Sequence, residues 1–114
     1  MAETALTRTT APGKFSQTGV VLTMTAADVA NGNSIAGAVD LLIVCHNTGA
    51  SQRTVTITSV ADPRTGRTGN VAAQALAAGE YRIFRLGNLG WANSSRLIII
   101  SANNAEVKIG VVVL

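Results

Sequence analysis

The only histidine of this 114-residue chain, His46, directly follows its only cysteine, Cys45. Acid/base, nucleophilic or metal chemistry would be sought at such a pair first. The spacing argues against it. Both residues close the apolar run Leu41-Leu-Ile-Val-Cys-His46, which reads as a strand, and successive strand residues point to opposite faces, so thiol and imidazole are turned apart. Cys45 reads as a small buried apolar residue, and alone it supports neither an intrachain disulfide nor a metal site. Asp40 shares the parity of His46 but lies ~20 Å away along an extended chain. The six acids, Glu3, Asp28, Asp40, Asp62, Glu80 and Glu106, include no two close in sequence, whereas a glycosidase needs two carboxyls about 5–10 Å apart. No EF-hand loop, phosphate-binding glycine pattern or metal-ligand spacing is present. The expectation is a non-enzyme without catalytic residues, cofactor or metal.

Contact chemistry is better represented. Arg64-Thr-Gly-Arg-Thr-Gly69 sets two arginines on a glycine and threonine frame, where Arg64 and Arg67 can clamp carboxylates of a partner or simply solubilise a loop tip. Trp91, the only tryptophan, can act as a stacking platform for a sugar or as an anchor over the edge of the fold. Lys14 and Phe15, near the start of the chain, complete the candidate partner-binding set. Seven of the nine basic residues are arginine, the cation better suited to interface ion pairs. The formal net charge is +3, but the arginines are scattered, with no basic run or nucleic-acid motif, so nucleic acid is not an expected partner.

The elements that must position these residues are strands. Along Arg53 to Val60 the threonines at 54, 56 and 58 fall on one face and Val55 and Ile57 on the other, the period of a half-buried strand. Further strands are expected at Gly19–Met24, Asp40–His46, Asn70–Ala77, Tyr81–Leu86, Leu97–Ser101 and Glu106–Leu114. In the last, Val107, Ile109, Val111 and Val113 share a face. Asn47-Thr-Gly-Ala-Ser51 reads as a hairpin connection that pairs its two flanking strands. Thr25-Ala-Ala-Asp28 has the form of a capping box and predicts a single helical turn, and Asn31-Gly-Asn-Ser34 predicts a turn. Asp62-Pro63 starts another. About seven to eight short strands at intervals of about 8–12 residues describe an all-β fold, an antiparallel β-sandwich or jelly roll, with a small closed barrel as the alternative. Residues 1–18, rich in threonine, alanine and glycine, form an N-terminal arm, and residues 19–114 a single sandwich domain.

Hydrophobic residues make up 47% of the chain and charged residues only 13%, about half the roughly 25% charged residues of an average soluble domain. So much uncharged surface on one small domain points to self-association or docking on a larger assembly. The start of the chain has no basic segment followed by an apolar run, and no apolar stretch approaches the ~20 residues that span a bilayer. The expectation is synthesis in a cytoplasm and no membrane partner.

Taken in order, Thr25-Ala-Ala-Asp28, Asn31-Gly-Asn33, Asn47-Thr-Gly49, Thr54-Val-Thr-Ile-Thr-Ser59, Asp62-Pro63, Arg67-Thr-Gly69, Ala78-Gly-Glu80, Gly90-Trp91 and the closing valine-rich strand resemble the small virion proteins of tailed bacteriophages, in particular head decoration (cement) proteins. The likeness covers roughly residues 19–114. It implies a structural protein on the capsid surface of a virion, binding the major capsid protein as a homotrimer or other homo-oligomer and stabilising the shell. On that footing the arm bridges to a neighbouring subunit and Arg64 and Arg67 meet acidic capsid groups, so removal of residues 1–15 is expected to leave a folded protein that binds more weakly. A carbohydrate- or receptor-binding β-sandwich of a fibre or tail is the alternative, and a hydrolase using His46 is third.

Overall fold

A computed structural model of the chain describes residues 3–61, 66 and 69–114. Among them there are ten strands and no helix: β1 (Thr4–Ala5), β2 (Arg8–Thr10), β3 (Thr25–Ala26), β4 (Asn33–Ala36), β5 (Leu41–Asn47), β6 (Arg53–Thr58), β7 (Val71–Leu76), β8 (Tyr81–Leu86), β9 (Leu97–Ala102) and β10 (Val107–Val113). They form two sheets. The first has the order β1-β4-β9-β6-β7; the second has the order β2-β10-β5-β8, with β3 also on β10. The fold is therefore the expected all-β sandwich. Alternation does the work: Val55 and Ile57 of β6 and Ile98 and Ile100 of β9 face Leu41, Ile43 and Cys45 of β5 and Val107, Ile109 and Val111 of β10 in one buried core. Each such side chain contributes roughly 1.5–3 kcal/mol of burial.

The sheets are mixed rather than wholly antiparallel. Thr4 and Ala5 pair in parallel with Asn33 and Ser34, and Arg8, Thr9 and Thr10 in parallel with Val111, Val112 and Val113. These strands come from a segment that no tight turn joins to its neighbours, so nothing imposes the antiparallel direction. The expected arm thus divides. Residues 4–10 are stitched to both sheets with Leu6 buried in the core, while residues 11–24 form no strand. Gly19–Met24 is accordingly not a strand. Leu22 and Met24 instead lie against Gly110 on the outer face of β10, where any Cβ would stand 2.5 Å from the Met24 sulfur.

Two further local expectations change. No helical turn forms at Thr25–Asp28: Thr25 and Ala26 are β3, and the turn that follows spans Asp28–Gly32, where the Gly32 N–H donates to the Asp28 carbonyl (2.8 Å), with Gly32 at φ +78. The Asp28 carboxylate accepts from the Asn31 N–H and side-chain amide and from the Thr4 hydroxyl, and the hydrogen bond from Thr4 leads in holding its carboxyl below the usual range. β5 and β6 do not pair. β5 lies between β10 and β8, and β6 between β9 and β7, so residues 47–53 cross from one sheet to the other. Asn47 makes the crossing. Its buried side-chain amide donates to the carbonyls of Ser51 (2.7 Å) and Leu76 (3.0 Å), and its side-chain oxygen accepts from the Gly49 N–H (3.0 Å).

Because Leu6 is buried between the two edge strands that hold the start of the chain, Leu6→Ala is expected to cost about 2–3 kcal/mol. Chemical denaturation measures this directly. An unchanged midpoint would show that the segment is not part of the folded domain.

Candidate functional surface

Cys45 and His46 behave as strand neighbours must. Cys45 is fully buried, and burial pushes its thiol up to about 12. The His46 ring is on the outer face, stacked on Tyr81 of the adjacent strand with centroids 3.7 Å apart and planes 5° from parallel. The sheet separates thiol and imidazole. Among the described residues no group of three or more His, Cys, Asp or Glu side chains could hold a metal ion, and no helix is long and apolar enough to cross a membrane.

The sequence-predicted contact residues are not gathered into one site. Arg64 and Arg67 lie outside the described residues, as does Asp62-Pro63. The base of their loop is defined: the Ser59 N–H donates to the Asn70 side-chain oxygen (2.9 Å) and the Gly69 N–H to the Ser59 hydroxyl (2.7 Å). Next to it, the Val60 N–H donates to the Gly90 carbonyl (2.8 Å), which brings the Trp91 loop beside that base. Trp91 itself is half-buried and packs on the core. Its loop lines an open cleft of about 620 Å³, with Val60, Asn88, Leu89, Asn93 and Arg96 on its walls. Arg96 holds φ +62, and the Gly37 N–H donates to its carbonyl (2.9 Å). Lys14 and Phe15 are elsewhere, both exposed, in the turn closed by the Ser16 N–H on the Gly13 carbonyl (3.0 Å). Among the described residues no hydrogen bond or ion pair joins them to the Trp91 loop.

The most prominent surface escaped the sequence analysis. The outer face of the second sheet carries the register rows Lys108, His46, Tyr81 and Gly110, Val44, Ile83. Leu22 and Met24 cover the Gly110 end of the second row, while Tyr81 (63% exposed) and Ile83 (61% exposed) stand open at the other end. Phe15 (96%), Val39 (90%) and Val21 (87%) are the other strongly exposed large apolar side chains. The alternation of Tyr81-Arg-Ile-Phe-Arg-Leu86 signalled a strand but not its orientation, because both faces are partly apolar. Polar contacts at this edge are ionic. Arg85 forms a two-pronged ion pair with Asp40, and the hydrogen bond from Arg85 is the larger influence holding the Asp40 carboxyl below its usual range.

Comparison with protein-family models, with curated proteins and with solved structures finds no match to the chain.

The buried thiol allows a pH test. A raised folded-state pKa favours the neutral thiol, so its contribution is complete below the unfolded value of 9.0 and is lost as pH rises towards about 12. The melting temperature is expected to fall more steeply over that interval for the natural chain than for Cys45→Ala. At pH 8 a thiol reagent is expected to modify Cys45 only as fast as the protein opens; immediate reaction of the native protein would contradict the burial.

Proposed function

We propose that this chain is a non-enzymatic structural protein of a virion, a decoration or cement protein that docks on the outer face of a capsid as a small oligomer, a homotrimer or another closed assembly, and stabilises the shell through contacts with the major capsid protein. The observation that carries this reading is apolar exposure on a well-formed fold. Phe15, Val21, Val39, Tyr81 and Ile83 stand out from a domain whose core is already filled, in a chain with only 13% charged residues. Exposed apolar groups of that size find their use in interfaces. The order of turn and strand motifs resembling head decoration proteins supplies the particular partner, and Arg64 and Arg67 are the side chains proposed to meet its carboxylates.

Particles purified from the virus whose genome encodes this sequence are expected to carry the protein in fixed ratio to the shell subunit, measured by quantitative mass spectrometry. Particles lacking it would overturn the reading.

The cleft beside Trp91 favours a second reading, a carbohydrate- or receptor-binding module, since amide and guanidinium groups of Asn88, Asn93 and Arg96 border it. That reading requires saturable glycan binding that Arg96→Gly weakens at least tenfold while the melting temperature holds; glycine retains the positive φ of this position. A glycan screen without a saturable binder would remove it.

A further inference from the structure

Among the described residues one sheet edge is both long and regular. β1, β2 and β3 present only two or three residues each. β7 is broken by a shift of register and by Ala73 at φ +46. β8 by contrast runs six residues in unbroken register with β5 and has no strand on its other side. Natural edges are usually shortened, bulged or covered, because an open row of N–H and C=O groups templates another strand.

The groups that β8 leaves open can be identified. The Asn47 N–H donates to the Glu80 carbonyl (3.0 Å), and the Asn47 carbonyl accepts from the Gly79 N–H (2.9 Å), which fixes position 47 as one whose backbone groups point at the β8 side of the ladder. Alternation then turns the N–H and C=O of Arg82, Phe84 and Leu86 towards β5 and those of Tyr81, Ile83 and Arg85 towards the open edge. No backbone hydrogen bond among the described residues uses the outward set.

We infer that β8 is a homodimer edge: two copies of the chain join their second sheets by antiparallel pairing of β8 about a two-fold axis, with Ile83 opposite Ile83 of the second copy. The inference names the surface of the self-association proposed above, and it stands on the edge geometry alone. This register satisfies every open group, since Ile83 pairs with its equivalent, Tyr81 with Arg85 of the second copy, and Arg85 with Tyr81 of the second copy. A register centred on Arg82 or Phe84 would pair only two of the three outward residues within β8, setting Arg85 opposite Gly79 or Tyr81 opposite Gly87, and one centred on Tyr81 or Arg85 would pair only one. The side chains agree. Ile83 against Ile83 extends the row Gly110, Val44, Ile83 into the same row of the second copy. Tyr81 is set beside an Arg85 guanidinium, a cation–π pairing, so no two arginines stand opposite each other. Arg82 does not obstruct the edge, because its guanidinium is drawn inward to Gln74 (3.3 Å) and Glu80 (3.6 Å).

Sedimentation or light scattering of the full chain over a wide concentration range is expected to show reversible association to twice the chain mass. Ile83→Pro tests the backbone. The Ile83 N–H is not used by β5, so the monomer can tolerate proline there. Across the axis the change removes two amide bonds, which should weaken dimerisation at least about thirtyfold. Ile83→Lys, at an exposed position, provides a second variant that retains the fold and should dissociate the dimer likewise. Hydrogen exchange should show concentration-dependent protection of the Tyr81, Ile83 and Arg85 amides. A monomer at all concentrations would overturn the inference. So would an oligomer indifferent to both substitutions, although that outcome would leave self-association by another surface, and with it the capsid reading, standing.

Discussion

The structure depends on β10 more than on any other element, because one strand carries both the core and the attachment of the start of the chain. Its odd-numbered side chains Val107, Ile109 and Val111 are buried between the sheets. One backbone edge pairs with β5 over seven consecutive residues, and the other holds β2 and β3. The remaining face is notched at Gly110, into which Leu22 and Met24 descend. A side chain at position 110 would force Met24 aside, since a Cβ there would stand 2.5 Å from its sulfur and 3.1 Å from two Leu22 carbons. Burial, two ladders and a covering segment thus converge on seven residues. Their β-branched composition is what a strand crowded on every side requires.

Around that spine nearly every connection passes from one sheet to the other; β6 and β7 are the only consecutive strands that pair with each other among those described. Crossing chains bury polar backbone at the ends of the sandwich, which must be hydrogen-bonded. Asparagine does this at three places. Asn47 anchors the crossing from β5, Asn33 accepts from the Asp28 N–H and donates to the Thr4 carbonyl, and Asn93 accepts from the Ser95 and Leu97 N–H groups. Glu106 reinforces the first of these ends. It pairs with Arg53 at 2.7 Å and lies so close over Gly49 that a Cβ there would strike the carboxylate. Topology is therefore enforced at the ends of the strands as much as by the core between them.

This explains what was legible in the sequence. Strands β6, β8 and β10 follow from alternation, β5 and β9 from short apolar runs, and β7 from its expected place at Asn70–Ala77, while the inward faces of β6 and β10 follow from parity alone. Pairing was not legible, because Asn47-Thr-Gly49 carries the same residues whether it closes a hairpin or an arch, and only the distant carbonyl of Leu76 decides between them. The short strands β1 and β2 escaped because their partners lie 29 and more than 100 residues away and their own residues have little apolar content. Asp28 carried the signal of a helix cap but serves a turn and the Thr4 hydroxyl. For the candidate surface, the sequence identified Trp91 and the arginine loop but could not show that Tyr81 and Ile83 are the apolar groups left facing water.

The placement of the exposed groups bears on how such a domain can serve an assembly. On the outer face of the second sheet, the segment around Leu22 and Met24 covers the row Gly110, Val44, Ile83 from the β10 side only. Adjacent strands are about 4.8 Å apart, so Ile83 lies roughly two strand spacings from that cover and directly beside the free edge. A second copy entering along β8 would shelter the open end of the row and the unpaired backbone together. Phe15 and Val39 belong to segments outside β8, and the Val39 backbone lies against Gly87 just past its end. Pairing through β8 would present both groups twice about one axis. Doubling a weak apolar contact in this way raises its effective affinity without any new contact. A sparsely charged domain would thus gain firm attachment to any repeating partner from individually modest patches.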